Sequence, residues 1–558
     1  MLVAQNPGVD SQNVTGAGKL VLASTTATPA SPDIYFGPDT SGNSYWGAQI
    51  TVATLDLGSS QRYITSNSGH NSVAVYYPNS DAVIFSSIIG SGGISFIGNP
   101  DHLTFASSSY YAGLVLSGSN TFSGKVEVDQ GSIYLNNANA LTQENQLVLS
   151  NTIANTYSHF FLLGNNTTVS NLQSTGTAAN IALANGTPTM NVAYGAATLT
   201  IHQTANTTFA GVIANTVTDN YDGGSNVPGA LSIALGSGST GTLTLSGANT
   251  YTGATTISAG TLQFANPTAM SPSSAVSVSS GATLAVNAGG AGEFTNGASG
   301  NGTIGGLLSG LGGQTGSTVT FASGAFLGID TTNAAGGNLT YAAAIANTNS
   351  GANIIGVTKL GTGTLTLTGT STYTGGTTVI KGTLIVSGSI SGSAATVDSG
   401  ATLGGAGSVG AVTALTGGNL EPGLTASGPS LTALTAKGLT WNGGGKLLLD
   451  LSTTSNASAK LSLGTGVLSE GAAGAYTFDF LAGGKLGQTY DLIDFASTTF
   501  TSASQFSATD LAAGLTGTFT LTGSELEVKL LAIPEPSPWA ALACSAGLLL
   551  GLRRPRSR

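Results

Sequence analysis

The sequence predicts an all-β chain folded as a β-solenoid, and three observations predict it. The first is an internal repeat. Residues 241–262 read GTLTLSGANTYTGATTISAGTL and residues 363–384 read GTLTLTGTSTYTGGTTVIKGTL, with 15 of 22 positions identical. The second is period-two alternation within each copy, which belongs to strands rather than helices. The third is composition. Gly is 82 of 558 residues, about twice an average share, and charged residues are 7%, where a globular domain has roughly 25%. The hydrophobic share of 41% supplies core material, so the surface is built from Ser, Thr, Asn and Gly.

One copy of the repeat can be read in order. Leu365 and Leu367 alternate with Thr364, Thr366 and Thr368, which puts the leucines on one face and the threonines on the other. Thr is β-branched and suits a pleated surface while staying polar. Gly369 and Gly375 punctuate the strands, as glycine does at corners that need φ > 0. A second strand covers 377–380, Lys381-Gly382 turns the chain, and Leu384 and Val386 share a face on a third. Such a unit cannot bury its apolar face alone, but stacked on its neighbours it can. A β-sandwich or propeller of similar short strands is the alternative. Weaker copies begin at Gly113 (GLVLSGSNTFSGKVEVDQGSIYL) and cover 199–213 (LTIHQTANTTFAGVI).

These patterns divide the chain into four segments. Residues 1–110 are richer in Tyr, Asp and His and form an irregular β region, a cap or a degenerate solenoid start. Residues 111–434 are the repetitive solenoid. Residues 435–532 carry longer alternating strands and form a C-terminal β region or cap. Residues 533–558 form a tail with an apolar run at 539–552.

Charge excludes one class of partner. The net charge is -10, and four of the 14 basic residues are Arg553, Arg554, Arg556 and Arg558; without them the body carries about -14. Such a surface repels phosphate, so no nucleic acid partner is expected. A single cysteine, Cys544, rules out an intrachain disulfide framework and reads as a small apolar residue in the tail.

Chemistry-bearing patterns are few. His70, His102, His159 and His202 lie far apart, with no two at metal-ligand spacing. No G-x-S-x-G elbow and no phosphate loop occur among the glycines. Asp219 and Asp222, beside Gly223-Gly224, are a weak candidate for calcium, and a solvated turn is the simpler reading. Asp491 and Asp494 in YDLIDF read as strand-edge charges rather than a glycosidase pair. No cofactor, no metal and no enzymatic activity are expected.

Two resemblances give these patterns a context. The run GTLTLTGTSTYTGGTTVIKGTLIVSG, with SGATLGGAGSVG and GGNLEPGLTASG after it, resembles the autotransporter-associated β-strand repeat of bacterial surface proteins. That resemblance implies a right-handed parallel β-helix and an exported protein, and no catalytic activity. The C-terminus is similar to the PEP-CTERM sorting tail: Pro534-Glu535-Pro536, an apolar run at 539–552, then Arg553, Arg554 and Arg556 as a membrane stop. It implies processing by an exosortase-type protease in a Gram-negative, exopolysaccharide-making bacterium. The protein would be held transiently at the inner membrane, then released to the cell surface or matrix.

The 14-residue run is shorter than the roughly 20 residues of an ordinary span. Snorkelling arginines and local bilayer thinning accommodate it as a short transmembrane helix. The positive-inside rule leaves the arginines in the cytoplasm. An uncut membrane anchor is the alternative for the tail. The export reading also calls for a signal peptide, which Met1 to Asn6 does not carry; Leu2-Val3-Ala4 reads as the end of one. The expected function is a structural or adhesin-like surface protein with exopolysaccharide as a partner; the alternative is a β-helix polysaccharide lyase or hydrolase.

Overall fold

The computed structural model describes residues 2–4, 13–22, 33–36, 49–66, 82–84, 86–98, 113–151, 157–186, 194–217 and 229–533. Over these residues the protein is all-β, with short strands paired almost throughout in parallel. Ile304–Leu308 is the one α-helix among them. None of their helices is long and apolar enough to cross a membrane. The expected transmembrane segment at 539–552 lies outside the described residues. The chain divides into two compact units, Met1–Thr364 with Thr372–Gly376, and Leu365–Ser371 with Thr377–Arg558.

In the first unit, Ile34 faces Ile64, Ile64 faces Phe96 and Phe96 faces Val128, so the stretch before residue 110 shares one parallel ladder with the strand Val126–Leu135. Arg62 joins rungs here. Its Nε donates to Leu57 O (2.6 Å), its Nη1 pairs with buried Asp33 (3.3 Å), and its Nη2 donates to Leu22 O. Further on, Leu243, Leu262, Leu284, Leu327 and Val357 stack in register as one column, each fully buried. Beside it run Phe209, Leu245, Phe264, Val286 and Ile329. Burying each such side chain is worth about 1.5–3 kcal/mol, and like on like makes the column continuous.

The second unit has three parallel ladders. One joins Thr377–Val379, Ala395–Val397, Val412–Ala414, Leu439–Trp441 and Val467–Glu470. A second runs from Thr383–Val386 through Thr402–Gly405, Asn419–Pro422, Lys446–Leu451 and Tyr476–Gly483 to Phe506–Thr509. The third runs from Ser389–Ile390 through Ser408–Val409, Ala433–Ala436 and Lys460–Ser462 to Thr489–Asp494. There Glu525–Ala532 pairs antiparallel with both Thr489–Asp494 and Leu515–Leu521. The core at this end is aromatic: Trp441 packs edge-on against Tyr476 and Phe478, both with centroids at 5.5 Å.

The leucines expected to point inward do so, with Leu243, Leu245 and Leu365 at 0% exposure and Leu367 at 1%. Two expectations fail in detail. Thr366, read as outward, is buried. Gly369 and Gly375, read as corner glycines needing φ > 0, have no positive φ. Gly375 is there because the preceding rung passes too close for a side chain: a Cβ would lie 2.2 Å from Ile355 O.

Candidate functional surface

The three clear repeat copies share one internal framework. Copy one has Asn120-Thr121-Phe122, copy two Asn249-Thr250-Tyr251 and copy three Ser371-Thr372-Tyr373. The aromatic ring of each is fully buried. The Asn side chain ties three rungs together. Asn120 Oδ1 accepts from Ile88 N (2.9 Å) and its Nδ2 donates to Ala140 O (2.8 Å). Asn249 repeats this with Ile213 N (2.8 Å) and Ala269 O (2.6 Å). The next residue donates its backbone N–H to the rung before: Thr121 to Ile88, Thr250 to Ile213 and Thr372 to Ile345. Tyr251 then bonds Thr255 (2.6 Å), and Thr255 bonds Ser274 (2.9 Å). In copy three Thr377 and Ser393 form the matching pair at 2.7 Å.

The glycine at the matching position of each copy is left-handed: Gly131, inside the strand Val126–Leu135, at φ 86, and Gly260 and Gly382, each just before a third strand, at φ 68 and φ 69. An L-residue there costs roughly 1–2 kcal/mol, which fixes glycine at that corner. Sequence reading found the alternation and the corners but not the asparagine framework. Its signal was an Asn at one fixed place in copies one and two, where copy three carries Ser371.

Most of the residues singled out for chemistry lie beyond what the structure describes. Pro534, Glu535, Pro536, Arg553, Arg554 and Arg556 lie outside the described residues, as do Asp219, Asp222, His70 and His102. Ile533, the last described residue, is exposed. Among the described residues, no three His, Cys, Asp or Glu side chains gather to hold a metal ion.

Asp494 is paired with Lys460 (3.1 Å) and accepts from Ser462 (2.8 Å). Burial works against its charge, but these hydrogen bonds outweigh it and hold the carboxyl below its usual range. Asp491 is exposed and faces Glu527 across the antiparallel pair. Glu527 is pushed up by burial and by the Asp491 and Glu525 carboxylates. His159 is buried, stacked on Tyr157 (4.8 Å) and edge-on to Phe161 (5.8 Å). Burial lowers its pKa to about 4. Lys359 ends the phenylalanine-containing column. Its Nζ donates to Leu360 O (2.6 Å) and Gly361 O (2.9 Å), and burial lowers its pKa to about 8 against the pull of Asp330.

The second unit carries an open groove of 610 Å³ lined by Ile380, Asp398, Ser399, Leu415, Thr416 and Asn442. These residues follow the strands of the first of its three ladders, so successive rungs contribute them.

A family model described as the passenger-associated-transport-repeat matches the chain at residues 103–135, 239–264 and 357–386. The three matches coincide with the copy that begins at Gly113 and with the two strong copies; the fragment at 199–213 is not among them. A search of the curated proteins found no match. Through these three stretches the chain is similar to the passenger regions of exported, cell-surface proteins.

Proposed function

We propose that this protein is a structural or adhesin-like component of a bacterial surface or extracellular matrix, and that it is not an enzyme. The observation that supports this most is the repeat. It matches three times, and in each copy its shared residues serve to hold rungs together. On this reading each unit winds as a right-handed parallel β-helix, whose outward faces meet exopolysaccharide.

The tail completes the reading. Pro534, Glu535 and Pro536 form the box recognised by an exosortase-type protease, and the run at 539–552 with Arg553, Arg554 and Arg556 holds the chain in the inner membrane until cleavage. The released body, with a net charge near -14, stays soluble among polysaccharides.

Mass spectrometry of the protein from surface and medium fractions of its native host tests this. The expected product ends near the Pro-Glu-Pro box, and Glu535→Ala retains the protein in the membrane fraction. An intact Arg558 terminus in the released protein rejects processing, and a wholly cytoplasmic protein rejects export. Reproducible turnover of a polysaccharide, lost on changing one carboxylate, would establish the lyase or hydrolase alternative.

A further inference from the structure

The ladder that begins at Thr377–Val379 presents an uninterrupted hydroxyl rank. Thr378 faces Thr396, Thr396 faces Thr413, Thr413 faces Thr440 and Thr440 faces Ser469. Their strand neighbours Val379, Val397, Ala414, Trp441 and Leu468 are buried, so the hydroxyl-bearing residues stand on the outer side. Adjacent strands lie about 4.8 Å apart, so five hydroxyls recur over roughly 19 Å. None of the five hydroxyls makes a hydrogen bond to another described residue.

Two other outer ranks differ. Beside Thr383 and Thr402 in the second ladder, Asn419 accepts from Lys446 N, Lys446 pairs with Asp479 (2.7 Å) and Thr477 bonds Ser507. In the first unit the comparable rank Thr168, Thr200, Ala234, Thr256 is broken by alanine.

The groove lies two residues further along these same strands. Ile380 and Leu415 are among the large apolar side chains left exposed in the described residues, at 43% and 39%. The Asp398 carboxylate and the Ser399 and Thr416 hydroxyls form no hydrogen bond with other described residues. Asn442 serves as wall, since its Nδ2 donates to Ala414 O (2.9 Å) and its Oδ1 accepts from Ala472 N (2.6 Å). A pyranose ring has an apolar C–H face and a rim of hydroxyls. The aliphatic side chains match the face, and the free carboxylate and hydroxyls match the rim. No basic residue lines the groove, and the chain is net negative, so a polyanion is disfavoured. Every backbone edge in the interior of the ladder is already paired, so an added peptide strand has no place there.

We propose that this hydroxyl rank and its groove bind an extended, uncharged polysaccharide lying across successive rungs. The proposal rests on the surface-protein reading and gives it a site and a ligand class.

Affinity electrophoresis of the purified full chain through gels containing laminarin, dextran, amylose or galactomannan tests it, with alginate as the anionic comparator. At least one neutral glycan is expected to retard the native protein, and alginate is not. The variant Thr396→Ala/Thr413→Ala/Thr440→Ala/Leu415→Ser should bind at least tenfold more weakly with an unchanged thermal melt. Thr383→Ala/Thr402→Ala should bind within twofold of native. If the multiple variant melts early, Leu415→Ser alone carries the test with an expected loss of at least threefold. No retardation by any neutral glycan, retardation by alginate alone, or a strip variant that binds like the native protein overturns the proposal. Failure here with the protein still found at the cell surface leaves the surface reading standing. Glycan binding by a protein found only in the cytoplasm does the reverse.

Discussion

Removing the Asn249 side chain tests the rung-holding framework directly. Asn249→Ala leaves the Ile213 N–H and the Ala269 carbonyl without their 2.8 Å and 2.6 Å partners, in a place where Asn249 itself is only 2% exposed. A buried group stripped of its partner costs about 1–3 kcal/mol. Two such groups sum to about 2–6 kcal/mol, and a water entering the vacated space brings the figure to the lower end. Local opening should then be easier by about 2–3 kcal/mol, a gain of roughly 30- to 150-fold at 1.4 kcal/mol per decade. Hydrogen exchange read by mass spectrometry measures this, because the Ile213 amide is one that Asn249 protects. Peptides spanning 209–217 should exchange faster by that factor, while peptides from the second unit should not change. Asn249→Asp keeps an acceptor for Ile213 but sets a carboxylate against the Ala269 carbonyl. Its folded pKa is therefore raised, and its defect should lessen as pH falls. An exchange change below threefold in 209–217 for Asn249→Ala would refute the framework as described.

Other substitutions probe other parts of the fold. Leu365→Asp, at a fully buried site, should cost on the order of 4–5 kcal/mol and abolish the thermal transition of the second unit, whereas Leu365→Met should cost under about 1.5 kcal/mol. Gly260→Ala forces an L-residue into φ 68 and should lower stability by about 1–2 kcal/mol, while Gly195→Ala, with nothing within 4 Å of its added Cβ, should cost nothing in the same denaturation assay. His159 has its folded pKa lowered to about 4 from an unfolded value near 6.5, so the unfolded chain binds the proton more readily between those values. Stability of the first unit should fall by about 3 kcal/mol as pH drops from 7 to 4 on this account. His159→Leu should flatten that part of the stability-pH curve, and an unchanged curve would show that His159 is not the group responsible.

The inward leucines were legible because alternation has a single period, and Leu243, Leu245, Leu365 and Leu367 obey it. Thr366 was not, because alternation says which side of a strand a residue takes and not whether that side is covered. The stretch before residue 110 looked irregular because its rungs are long. Ile34, Ile64, Phe96 and Val128 are spaced by 30, 32 and 32 residues, whereas Leu245 and Phe264 are 19 apart. The ladder tolerates that variation, since loop closure costs grow slowly with length. A search for a fixed period does not see it. The 43 residues from Val286 to Ile329, with the helix Ile304–Leu308 between them, hide the period in the same way. The free hydroxyl rank was present in the sequence as Thr378, Thr396, Thr413 and Thr440, but unequal spacing concealed that they share a face.

The two strong copies also divide their residues by task. Positions identical between them include Leu243 and Leu365, Tyr251 and Tyr373, Gly253 and Gly375, and Gly260 and Gly382; they fill the core, accept a neighbouring rung at close range, or turn the corner. Each of these tasks is set by the geometry of stacking, so every rung of this kind needs the same answer. Where the chain leaves the second strand, Ser258 and Ala259 in one copy become Ile380 and Lys381 in the other. Both Ile380 and Lys381 are exposed, and Ile380 opens the groove. Stacking places no demand on an outward side chain at that corner beyond tolerating water, so the position is free to serve recognition. A match to the repeat therefore reports how the rungs are held, and the binding chemistry of this chain has to be sought in the outward positions where its own copies part.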